Sequence, residues 1–138
     1  MTLGYTCGVF DSFHYGHAEL LTRAAALCDR LIVGVTTDEC CLKCKNMTTT
    51  FKQEHRKRVV ECIRGVNCVV YQNELDKFTA WEKLKFDILF VGDDWFKNPK
   101  WIEYEDRLKQ VGVKIMYISR TPKISSTHVR IHGTTHNI

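Results

Sequence analysis

His14-Tyr15-Gly16-His17-Ala18-Glu19-Leu20-Leu21 carries the chain out of an apolar segment and into an amphipathic one. A predicted strand gives way here to a predicted helix, and two imidazoles stand at the junction. The first N–H groups of a helix have no partners within it, and the macrodipole adds positive potential there. α/β proteins bind anions at such junctions. Two ring donors at one of them point to work on a phosphate. The pair also admits a metal reading, with Asp11 near enough to add a carboxylate, and a reading as two solvent-exposed side chains.

Upstream, residues 3–10 predict a buried strand containing Tyr5, Cys7 and Val9. Downstream, Ala18, Leu21, Ala25 and Cys28 recur at helical spacing and predict a helix over 17–27. Leu31-Ile32-Val33-Gly34-Val35 is a short continuous apolar run, as expected of a strand covered on both faces. Residues 36–51 are polar and threonine-rich and read as a long loop with a single helical turn. A helix over 53–64 follows, with Val59, Val60 and Ile63 on its apolar side. Strands are predicted over 66–71, 87–91 and 113–118, and helices over 76–85 and 101–110, with Gly112 as a stop. A closing helix over 125–132 takes Ser125 or Ser126 as its cap.

This alternation predicts one α/β domain over residues 1–138: a mostly parallel five-stranded sheet, doubly wound, with helices on both faces. Ligands bind such sheets beyond the carboxyl ends of the strands, at the switch in strand order. Three unusual segments follow predicted strands: residues 10–17, Gly92-Asp93-Asp94-Trp95, and Arg120-Thr121-Pro122-Lys123-Ile124-Ser125-Ser126-Thr127. The fold would bring them to one edge.

The chain is 138 residues long, with 20 Lys and Arg against 16 Asp and Glu, a formal net charge of +4. That balance suits an anionic small molecule. The cations form no long run, so no nucleic-acid footprint is expected. No apolar run is long enough to span a bilayer, and the first residues do not form a secretory signal. A cytoplasmic address is expected. Seven cysteines in odd number and scattered placing fit no disulfide framework and read as free thiols. Cys40, Cys41 and Cys44 cluster, and His55 is the next candidate ligand. No second close pair follows, so no metal site is expected there.

The other polar segments carry compatible chemistry. The Arg120 segment sets a guanidinium, an ammonium and hydroxyls before a helix start, which suits a polyphosphate tail. Lys43 and Lys45 in the long loop, with Arg56 and Arg64 on the next helix, could close over a phosphate or simply be solvated. Asp93-Asp94 could accept from a base amino group, hold a magnesium ion, or form a turn. The phosphate-binding loop G-x-x-x-x-G-K-[ST], the dinucleotide fingerprint G-x-G-x-x-G and a serine nucleophile elbow are all absent.

Together these segments resemble the small cytidylyltransferases of the nucleotidyltransferase superfamily. Gly8-Val9-Phe10-Asp11-Ser12-Phe13-His14-Tyr15-Gly16-His17 looks like their H-x-G-H signature with its lead-in, and Arg120 to Thr127 like their R-T-x-G-I-S-T-[ST] signature. Gly92-Asp93-Asp94-Trp95, Glu54-His55-Arg56-Lys57 and Ile63-Arg64-Gly65-Val66 are similar to the glycerol-3-phosphate subgroup. The likeness runs from Thr6 to Arg130. Val9 stands where threonine is usual, Lys123 replaces a glycine, no aromatic residue stands around Asn73-Glu74-Leu75, and the segment after Trp95 is longer.

The resemblance implies a Rossmann-like fold and CMP transfer from CTP to a phosphorylated alcohol, with magnesium accompanying CTP. It implies that His14 and His17 stabilise charge on the α-phosphate. Lys45 would bridge the phosphates of nucleotide and acceptor, with Lys43 as its alternative. Arg120, Ser125, Ser126 and Thr127 would hold the leaving pyrophosphate, and Asp94 would help read cytosine. Val9, Phe10, Asp11, Gly16, Thr121 and Ile124 would complete the nucleotide pocket. Lys43, Arg64 and Lys77 would lie around the acceptor. It also implies a homodimer. Phosphoethanolamine, phosphocholine or a pentitol phosphate are alternative acceptors, with Tyr71, Trp81 and Trp95 as walls for a cationic head group. An adenylyltransferase of the same superfamily is the other alternative.

Overall fold

The computed structural model describes residues 1–92 and 99–119. The predicted cap and helix over 125–132, the Arg120 segment and Asp93-Asp94-Trp95 fall outside them. The elements in order are β1 (Leu3–Gly8), α1 (Tyr15–Ala26), β2 (Arg30–Thr36), α2 (Asp38–Lys45), α3 (Gln53–Glu61), β3 (Cys68–Gln72), α4 (Lys77–Leu84), β4 (Ile88–Gly92), α5 (Pro99–Gln110) and β5 (Lys114–Ile118). The strands form one sheet in the order β3-β2-β1-β4-β5, and every neighbouring pair is parallel.

Period-two alternation divides the side chains between two cores. Leu31, Val33 and Val35 of β2 face Leu21 and Ala24 of α1 and Val60 of α3, together with Phe90 and Ile118. Tyr5 of β1 and Leu89 and Val91 of β4 face the other way, onto Trp101 and Leu108 of α5 and Phe78 and Trp81 of α4. This is the double winding the sequence predicts. The strand order reverses between β1 and β4, so the segment leaving β1 at Gly8 starts at the switch point.

One element differs in kind. Residues 38–45 form a two-turn helix, α2, where a loop is expected. The Thr37 hydroxyl caps it by accepting from the Cys40 N–H, Asp38 and Glu39 sit at its positive end, and Lys43 and Lys45 sit at its negative end. Its buried face is Cys40 and Cys41. Small thiols fill that space, and they do not register as an apolar stripe.

Several boundaries move for local reasons. α1 starts at Tyr15 and not at residue 17, because His14 is the cap. α3 ends at Glu61, three residues early, and the chain turns through Gly65 at φ 96°. The flanks of α4 are caps: Asp76 accepts from the Phe78 N–H, and Lys85 is left-handed at φ 53°. Gly112, at φ 87°, stops α5 as expected.

Gly34 sits in the middle of β2 opposite Cys7. A Cβ there would strike the Tyr5 hydroxyl, and Tyr5 is fully buried and stacked on Phe86. Gly34→Ala is expected to destabilise the protein by about 1–3 kcal/mol through overpacking. A lower urea midpoint at unchanged slope would register it.

Candidate active site

Past Gly8 the chain makes a tight turn in which Phe10 (φ 54°) and Ser12 (φ 50°) take left-handed backbone conformations. A non-glycine residue holds that conformation only when its surroundings enforce it. Here they do so through burial. The Phe10 ring, 5% exposed, is sunk in the α1/α3 core. The Asp11 carboxylate, 2% exposed, accepts from the backbone N–H groups of Thr50 (2.8 Å) and Phe51 (3.1 Å). It thereby draws the segment after α2 over the turn.

The two histidines then form a reciprocal cap. His14 Nδ1 accepts from the Gly16 N–H at 2.9 Å, and His17 Nδ1 accepts from the His14 N–H at 3.2 Å. A ring nitrogen that accepts a backbone N–H carries no proton of its own. Each neutral ring is therefore the Nε2–H tautomer. The rings stack with centroids 3.9 Å apart, and Phe10 meets His17 edge-on at 5.5 Å. Both imidazoles are thus oriented before any ligand arrives, at the start of a twelve-residue helix.

A buried guanidinium fixes the walls around them. Arg56, 1% exposed, donates to the carbonyls of Phe51 (2.9 Å), Val9 (2.7 Å) and Thr36 (2.8 Å), and to the Asp38 carboxylate (2.6 Å). One side chain so joins the end of β1, the end of β2, the start of α2 and the approach to α3. Burial pushes the Asp38 carboxyl up. The bonds from Arg56, the Gln53 N–H and Thr49 outweigh that and hold it below the usual carboxylate range. From the sequence Arg56 reads as a cation that is solvated or closes over a phosphate; its guanidinium is instead spent on the scaffold. Its position four residues before Val60 puts it on the buried face of α3, and that spacing is the signal that could have found it.

The Val9 carbonyl accepts from Arg56, a contact that does not depend on the side chain standing where threonine is usual. Gly16 serves the histidine cap through its N–H. Lys45 ends α2, is exposed, and makes no ion pair among the described residues. Lys43 is paired with Glu39 at 2.6 Å on the helix surface. Lys77, the first residue of α4, is 8% exposed at the carboxyl edge of the sheet, with Nζ 2.8 Å from Cys7 Sγ. Arg64 is not brought to this edge within a single chain: its turn leads into the start of β3, at the opposite end of the strands. Asp94, Arg120, Thr121, Ile124, Ser125, Ser126 and Thr127 lie outside the described residues. Ser119, next to Arg120, gives its carbonyl to Arg23 of α1 at 3.4 Å.

All seven cysteines are free. Cys40 and Cys44 bring their sulfurs to 3.6 Å, burial pushes the Cys40 thiol up to about 11, and His55 is stacked instead on Phe51. Among the described residues no group of three or more His, Cys, Asp or Glu side chains is placed to hold a metal ion.

A switch-point turn leading into paired histidines at a helix start is thus in place, and the sequence matches the cytidylyltransferase-like family over residues 5–131. The chain belongs to that family. A glycerol-3-phosphate cytidylyltransferase from Bacillus spizizenii is 40% identical over 126 residues, covering 91% of this chain and 92% of the relative. The Bacillus subtilis protein of the same name is 35% identical over 132 residues, with the same coverage of 91% and 92%. A solved structure of a lipopolysaccharide core biosynthesis protein from Thermoplasma volcanium shares the fold. Its TM-score is 0.72 at 21% identity, covering 88% of this chain and 97% of that one.

Two outcomes test this cytidylyltransferase-like site. Imidazole nitrogen NMR at neutral pH is expected to show bare Nδ1 and protonated Nε2 on His14 and His17; an Nδ1–H tautomer on either ring would contradict the reciprocal cap. Arg56→Leu removes a buried donor shared by three carbonyls and a carboxylate. It is expected to cost about 3 kcal/mol or more in chemical denaturation.

Proposed function

We propose that the protein transfers CMP from CTP to glycerol 3-phosphate, giving CDP-glycerol and pyrophosphate. An acceptor phosphate oxygen attacks the α-phosphorus of CTP, the bond from that phosphorus to the β-phosphate bridge breaks, and pyrophosphate leaves. Such a reaction asks the protein for positioning and charge stabilisation, with no covalent step of its own. The reading rests on the paired, pre-oriented histidines at the α1 start, and is supported by the 40% and 35% identical relatives of that name.

In this reading the Nε2–H groups of His14 and His17 meet the charge that grows on the α-phosphate. Being neutral donors, the two stacked rings serve together without mutual repulsion. Lys45 reaches the phosphates from the end of α2, and Lys77 meets the acceptor. Lys43 is the weaker choice because Glu39 holds it. Arg120, Thr121, Ile124, Ser125, Ser126 and Thr127 take the pyrophosphate half, and Asp94 takes the base. Magnesium would accompany CTP and offset the charge of its phosphates. The protein works as one domain over residues 1–138, as a homodimer, in the cytoplasm. Among the described residues no helix is long and apolar enough to cross a membrane.

Two of the three aromatic walls considered for a phosphocholine head group already have a lysine over the ring, and the third, Trp95, lies outside the described residues. A quaternary head group needs open aromatic faces. The Trp81 ring already carries Lys85 Nζ at 3.9 Å, and the Tyr71 ring carries Lys57 Nζ at 5.4 Å.

Pyrophosphate release from CTP or ATP, with magnesium and a panel of phosphorylated alcohols, tests the reading. CTP with glycerol 3-phosphate is expected to be the best pair, and release with no pair would overturn it. His17→Ala is expected to lower kcat about a hundredfold or more while the fold survives. Near-normal turnover in that variant would remove the assigned role.

A further inference from the structure

Leu3, Tyr5 and Cys7 of β1 face the α4/α5 side of the sheet. At the carboxyl edge on that side a row of polar groups crosses three strands. The Tyr5 hydroxyl donates to Gln72 Oε1 at 3.2 Å, and Gln72 Nε2 donates to Thr36 Oγ1 at 3.5 Å. Lys77 enters the row from the first turn of α4. Its side chain reaches from the end of β3 to the end of β1, where Nζ stands 2.8 Å from Cys7 Sγ. Burial and the neighbouring Cys7 together push the Tyr5 hydroxyl above the usual tyrosine range, so Tyr5 stays a neutral donor.

A lysine that is 8% exposed must place its ammonium against acceptor atoms. Cys7 supplies one: a weak acceptor as thiol, a strong one as thiolate. Two residues beyond Cys7 begins the Val9-Phe10-Asp11 turn that leads to His14. An atom that receives the Lys77 ammonium thus belongs to the strand that launches the histidines. Distance between the ammonium and the imidazoles is set along one short, rigid piece of backbone.

We infer that Cys7 is a positioning residue for the acceptor: it holds the Lys77 ammonium at the carboxyl end of β1, where that ammonium meets the acceptor's phosphate. The inference rests on the proposed CMP transfer and on Lys77 facing the acceptor. Without a sulfur at position 7 the ammonium loses this acceptor on β1, and acceptor binding weakens. An interaction made equally with bound acceptor and transition state changes KM and leaves kcat alone.

Steady-state kinetics of the full chain test this. Cys7→Val, close in volume and without an acceptor atom, is expected to raise KM for glycerol 3-phosphate about tenfold. KM for CTP and kcat should stay within about twofold, and Cys7→Ser should recover most of the loss. An unchanged acceptor KM in Cys7→Val overturns the inference and leaves the reaction standing, as does a parallel rise in both KM values. Absence of turnover by the unaltered protein with every acceptor removes the reaction itself, and the inference with it.

A measurement on the unaltered protein covers the case of a valine variant that does not fold. Alkylation by iodoacetamide is followed peptide by peptide, with exposed Cys62 and Cys68 as controls. Saturating glycerol 3-phosphate, bound at the ammonium that Cys7 holds, covers the thiol and is expected to slow labelling of Cys7 alone. Equal labelling rates with and without it overturn the inference.

Discussion

The Arg56 guanidinium is the contact on which the rest of the site depends. Four of its N–H groups end on three backbone carbonyls and a carboxylate drawn from separate segments. A buried charge is tolerated only when its hydrogen bonds are satisfied. That demand runs both ways: the segments must come to the guanidinium, and so they come to one another. The turn after β1 and the segment after α2 meet there, and Asp11 then closes one over the other through the N–H groups of Thr50 and Phe51.

On that scaffold the histidines need little further ordering. Reciprocal capping fixes the tautomer of each ring, ring stacking fixes its plane, and the left-handed Phe10 closes the remaining side. Strain in the turn is thereby converted into orientation. A site that changes charge at a phosphorus gains most from donors that do not reorganise as the charge develops. Neutral Nε2–H groups held by backbone meet that requirement, whereas two imidazolium rings at 3.9 Å would repel each other.

Much of this is legible in the chain itself. Strand alternation, the apolar run at Leu31 to Val35 and the Gly112 stop follow from period and backbone preference alone, and the structure keeps them. The H-x-G-H stretch is legible as a helix start because capping is a local feature, and the structure begins α1 there. What escapes the sequence is burial of unusual residues. Cys40 and Cys41 pack as small apolar side chains and build α2 without an apolar stripe. Arg56 and Lys77 look like surface cations by composition, yet they are 1% and 8% exposed. Spacing puts Arg56 on the Val60 face of α3, but whether a cation there is covered depends on what lands above it, and neighbours along the chain do not encode that.

By itself, then, the sequence determined the strand–helix alternation, the five parallel strands and the place of the two histidines at a helix start. Those are properties of single segments and of their order. Only the tertiary structure decided which cations serve the scaffold and which lie at the carboxyl edge of the sheet. It sent Arg56 inward, set Arg64 at the opposite edge, and laid Lys77 against Cys7. The reason is physical: a cation's role is fixed by the acceptors that surround it, and those come from strands that are distant in sequence and adjacent in the sheet.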